Sequence, residues 1–173
     1  MPRIMALPPR EPTTVGERLR ALACVALART LAARPLTSRP AWGDIVLPRL
    51  LGGLARSASR PATRPEAERA VGIVVTAVPR LGGSSACLPR ALAGFLYCRA
   101  QGLATTIVVG AADARTVHAW LEAEGLPAGE ACDPTGVFTS THSYGAAPRS
   151  SARSDPAPTG SARPARSARR RDG

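Results

Sequence analysis

The sequence predicts an α+β fold, with N-terminal helices followed by a cysteine-bearing helix packed on a small antiparallel sheet. Three observations carry this. Up to Arg99 the apolar residues recur at helical spacing, and two capping boxes mark helix starts. After Gly102 the period changes to β-branched runs and strict alternation. From Gly145 onward there is no Leu, Ile, Val, Phe or Trp, so that stretch has no means of burying a core.

The first helix starts at a capping box, with Thr14 as N-cap and Glu17 three residues on. Val15, Leu19, Leu22, Val25, Ala26 and Leu31 follow as its apolar face, and Pro35 ends it. Packing that face on the protein's own core is weighed above laying it, with Arg18, Arg20 and Arg29, on a membrane surface. A second helix is expected over Ile45 to Arg56, anchored by Trp42. Thr63, Pro65 and Glu66 open a third, which carries Ala67, Val71, Val74, Val75 and Val78 and stops at Pro79 and the Gly82-Gly83 pair. A glycine turn then leads into a fourth helix, capped by Ser84 or Ser85. Its apolar face is Leu88, Leu92, Phe95 and Leu96, and Gly102 stops it.

Leu103 to Val109 reads as a strand between two glycines. Thr116 to Glu124 alternates, with His118, Trp120 and Glu122 on one face and Val117, Ala119 and Leu121 on the other. Gly125 marks a tight turn, and Gly129 to Asp133 forms a third strand ended by Pro134.

The 173 residues carry a net charge of +11, all of the basic charge being Arg. By segment the net is +8 over 1–80, −2 over 81–144 and +5 over 145–173. The expected organisation follows: a helical region over 1–62, a core over 63–144, and a disordered Arg/Pro/Ser-rich tail over 145–173. The mildly acidic core and the 3% aromatic content argue against a nucleic-acid surface. No apolar run spans a bilayer, the N-terminus lacks the pattern of a secretory signal, and four scattered Cys without a CxxC pair suit neither zinc nor a disulfide framework. The chain reads as cytoplasmic, with no metal.

Cys87 falls in the first turn of its helix, where free backbone N–H groups and the helix dipole favour a thiolate. His118 and Asp133 fall on neighbouring strands. A thiol beside an imidazole makes a nucleophile that works near neutral pH, and a carboxylate on the other ring nitrogen fixes the ring. The plain alternatives are a small buried thiol, a satisfied core histidine, and an aspartate that starts a turn before Pro134. Cys24 reads as core, Cys98 as core or surface, Cys132 as facing away from Asp133 on the expected strand, and His142 as a weaker rival to His118.

The strings SACLPRALAGFLYCRAQGL, TTIVVG and VHAWLEAEGLPAGEACD resemble the lasso peptide biosynthesis B2 proteins, a microcin-processing family. The resemblance covers about residues 63–144. It implies a papain/transglutaminase-like core and a cysteine protease that removes the leader of a ribosomally synthesised precursor peptide. It places the nucleophile at Cys87, the base at His118 and the orienting carboxylate at Asp133. Val117 departs from the Ala usual before that His. The implied partners are the precursor, a separate leader-recognition protein and the ATP-dependent lasso cyclase. No cofactor is implied, and no phosphate-binding loop or Lys is present for ATP. The oxyanion hole is expected from the Cys87 N–H and a donor in the Gly83-Ser84-Ser85 turn, and Ser84, Ser85 and Trp120 are expected near the substrate or oxyanion. A transglutaminase-like acyl transferase and a non-enzymatic basic protein, binding nucleic acid or an acidic partner, are the alternatives.

Overall fold

A computed structural model describes residues 11–33 and 47–145. Helix α1 spans Val15–Ala33. Its capping box closes as expected: the Thr14 N–H donates to Glu17 Oε2 at 2.9 Å and the Glu17 N–H to Thr14 Oγ1 at 3.2 Å. The face it buries differs from the expected one. Ala21, Cys24, Val25 and Ala28 pack into the core, while Val15, Leu19 and Leu22 are exposed. Small side chains let two helices approach closely. The helix is apolar nearly all round, so spacing alone does not choose its buried face.

Helix α2 spans Leu47–Arg56 and buries Leu51 and Ala55. Pro35, Trp42 and Ile45 lie outside the described residues, as does the tail beyond Gly145. Strand β1 (Arg60–Pro61) pairs in parallel with β2 (Leu103–Ala104). Helix α3 spans Arg64–Ala77, with Thr63 as N-cap and its N–H donated to Glu66 Oε2 at 2.9 Å. Helix α4 spans Cys87–Ala100 and stops at Gly102, whose φ of +77° only glycine adopts freely. Its N-cap is Ala86 and no side chain caps it. The expected Ser84 or Ser85 cap is replaced by a single 3₁₀ turn over Ser84–Ala86.

Four strands form an antiparallel sheet in the order β5-β4-β3-β6. They are β3 (Thr106–Ala111), β4 (Val117–Ala123), β5 (Leu126–Ala128) and β6 (Thr139–Gly145). The run expected from Leu103 divides at Thr105 between β2 and β3. Glu124 and Gly125, with φ of 57° and 76°, make the tight turn between β4 and β5. The third strand is Leu126–Ala128 rather than Gly129–Asp133. Gly129 turns the chain off the sheet at φ +74°. Strand β6, which the polarity of Thr139 to Ser143 hides, pairs with β3 at the sheet edge.

Helices α1, α3 and α4 share one core with the Ala119, Leu121 and Ala123 face of β4. Val108, Trp120 and Phe138 make a smaller cluster, which Trp120 joins from the opposite face of β4. A Cβ on Gly110 would lie 2.8 Å from the Trp120 ring, so the bare backbone there is what lets the indole lie across β3. Among the described residues, no helix is long and apolar enough to cross a membrane.

Candidate active site

Cys87 is the first residue of α4 and is half-buried. Strand β5 makes its last pair between Ala128 and Leu121, so β4 runs on beyond it. The Cys87 sulfur lies toward β4 there, near the backbone N–H of Ala119 and that of Leu88 in its own helix. Burial pushes the Cys87 thiol up. The His118 ring and these two N–H groups outweigh it, and the thiol settles below its ordinary range. The other cysteines differ. Burial pushes Cys98 up to about 12 and raises Cys24 as well, while Cys132 is exposed.

His118 sits near the start of β4 and is 4% exposed. Its ring stacks on Trp120 at 6.0 Å and lies 5.2 Å from Phe138. Nε2 is 3.2 Å from Glu130 Oε2. An ionised carboxylate only accepts, so Nε2 carries the proton there. Nδ1 is left for the thiol; it is buried and closes no aligned hydrogen bond. Such contacts tighten when substrate arrives. Interaction with Cys87, then with Glu130, pushes His118 up to about 9 against the opposing effect of burial. A thiol lowered beside an imidazole raised to about 9 favours the thiolate–imidazolium form of the pair. Below the thiol's range the sulfur regains its proton, and above about pH 9 the ring gives up its own.

The carboxylate behind the ring is therefore Glu130, where the sequence points to Asp133. Asp133 is exposed and accepts the Thr135 N–H at 2.9 Å, capping the 3₁₀ turn Pro134–Gly136. That is the turn-starting role that Asp before Pro commonly takes. Glu130 is in turn held by Arg90, whose Nη2 lies 2.9 Å from Oε1 and 3.2 Å from Oε2. Arg90 is 5% exposed and also donates from Nη1 to the Leu81 carbonyl at 3.3 Å. Sequence reasoning misses both residues. The available signal is the spacing: Arg90 is three residues after Cys87, on the same face of one helix.

The remaining expected residues divide. Trp120, 1% exposed, donates Nε1 to Glu122 at 2.8 Å and backs the His118 ring, so it supports the site without facing a substrate. The stretch holding Ser84 and Ser85 leads directly into Cys87, but the Gly83 N–H is donated to the Arg80 carbonyl at 3.4 Å and is spent there. His142 is exposed on β6, stacked with Tyr144 at 6.1 Å. Among the described residues, no group of three or more His, Cys, Asp or Glu side chains is placed to hold a metal ion.

Cys87 should alkylate faster than Cys24 and Cys98 at pH 7, and the excess should vanish in His118→Ala. Iodoacetamide labelling followed by peptide mapping reads this, with Cys132→Ser removing the exposed thiol. Equal labelling of Cys87 and Cys98 would count against the thiolate pair.

A helix that presents a thiol to an imidazole on the adjoining sheet is an arrangement suited to acyl chemistry on cysteine. The family model of the Transglutaminase-like superfamily matches residues 21–143, well over half of the chain, and the chain belongs to that superfamily. Its enzymes are of cysteine protease or acyltransferase type. No curated protein and no solved structure matches the chain.

Proposed function

We propose that this chain is a cysteine peptidase that removes the leader from a ribosomally made precursor during lasso peptide maturation. The observation that supports the chemistry is the Cys87 thiol set against the His118 ring, with a carboxylate on the far nitrogen. The support for the substrate is the pair of strings around Cys87 and His118, which resemble the leader peptidases of that pathway.

In this reading the Cys87 thiolate attacks the scissile carbonyl carbon. The oxyanion that forms is met by the Cys87 N–H and by a donor from the Ser84-Ser85 turn. His118 gives its proton to the leaving amine as the C–N bond breaks, and a thioester remains. Water then attacks the thioester and passes a proton to His118. The C–S bond breaks, releasing the acid and restoring the thiolate. Glu130 keeps the ring oriented throughout. A separate recognition protein holds the leader, and the released core passes to the ATP-dependent cyclase.

The test mixes the protein with its precursor and recognition partner and follows peptide mass. Native protein should release a leader fragment and a core fragment that add up to the precursor plus one water. Cys87→Ala, with an unchanged circular dichroism spectrum, should release neither. Cleavage by Cys87→Ala would end this reading. A product carrying an added primary amine in place of water would assign the site to acyl transfer, because only the second nucleophile differs.

A further inference from the structure

We propose that Arg90 is a positioning residue of this site: it holds the Glu130 carboxylate on His118 Nε2 and thereby keeps the thiol–imidazole pair assembled. The inference rests on Cys87 and His118 acting as the pair proposed above. It starts from a buried charge that the mechanism does not use. Arg90 is 5% exposed, inside a helix, and a guanidinium is not removed from water without a partner. Its partner is a carboxylate that already has a second task.

Glu130 Oε2 is the shared atom, 3.2 Å from Arg90 Nη2 and 3.2 Å from His118 Nε2. The carboxylate rides on the irregular segment after β5, where no strand pairing fixes it. It also borders a cavity of about 140 Å³ that opens toward Arg64, Cys132 and Asp133. Without a holder, the carboxylate has a way off the ring and into that cavity.

The charged and titratable groups around it leave Arg90 as the holder. From α4 come Cys87, which serves the other ring nitrogen, and Arg90. From α3 comes Arg64, whose Nε is bound to Glu68 at 2.8 Å. From β4 come His118 itself and Glu122, which accepts from Trp120. From the following segment come the exposed Cys132 and Asp133, the latter capping its own turn.

The sign of the effect separates positioning from simple charge. Arg90 carries the same charge as the imidazolium. Acting only through space it would oppose the ring's proton, and its removal would strengthen the pair. Acting by holding Glu130, its removal weakens the pair.

The experiment uses the full chain with Cys132→Ser and iodoacetamide as the probe, following Cys87 alkylation against pH. Native Cys87 should react well below the ordinary thiol range. Arg90→Met should move the midpoint up by about one pH unit, a roughly tenfold slower rate at pH values below the native midpoint. Glu130→Gln should do the same, the double variant should add less than about twofold, and Arg90→Lys should recover most of the native curve. If Arg90→Met does not fold, Arg90→Gln carries the same expectations. A native or lowered midpoint in a folded Arg90 variant overturns the inference while the pair stands. A native Cys87 that reacts only in the ordinary thiol range overturns the pair itself.

Discussion

Glu130→Gln will lower turnover by roughly three orders of magnitude, while Asp133→Ala will leave it within about twofold of native. The difference comes from where the two carboxylates sit. Glu130 accepts from His118 at 3.2 Å and so fixes the orientation and tautomer of the ring. Asp133 accepts from Thr135 at 2.9 Å, and losing that cap disturbs only an exposed turn away from the ring. Gln keeps the volume of Glu, so the buried Arg90 loses the charge of its partner but not the shape. The imidazolium is then no longer stabilised, and Nε2 can be left facing an amide N–H, which favours the wrong tautomer. Single-turnover cleavage of the precursor reads the chemical step apart from product release. A native rate in Glu130→Gln, or a collapse in Asp133→Ala, would return the orienting role to Asp133.

Gly129→Ala is the second large effect, and it acts through geometry. The backbone there has φ +74°, where an L side chain costs about 1–2 kcal/mol. A Cβ would also lie 2.6 Å from Val71 Cβ on α3, an overlap that one rotamer change does not relieve. Overpacking of this kind costs about 1–3 kcal/mol more. The chain must shift, and the next residue is Glu130. The variant should therefore lose about 3 kcal/mol in urea unfolding and lose early Cys87 alkylation in the same samples. Loss of stability with native alkylation would show that Glu130 does not depend on this turn.

These two substitutions also mark where the sequence is informative. Cys87 and His118 are legible because local rules place them: a glycine turn before an apolar helix, and alternation along a strand. Glu130 is not, because its position depends on Gly129 meeting Val71, a contact between residues far apart in the chain. Read locally, the stretch after the turn looks like a strand that ends on Asp133, and the aspartate before proline draws the assignment. Strand β6 is hidden for a related reason. Its side chains from Thr139 to Ser143 are exposed, so pairing with β3, not burial, makes it a strand. The face of α1 is misread because apolar residues surround that helix and only its neighbours choose among them.

The arrangement of the site has a mechanical consequence. Cys87 and Arg90 ride on one helix turn, and His118 and Glu130 on or just beyond one hairpin. The centre is thus two halves facing each other across a seam, joined by the thiol–ring contact and by the guanidinium–carboxylate contact. A slide of the helix along the hairpin loosens both joints together, and a return restores both together.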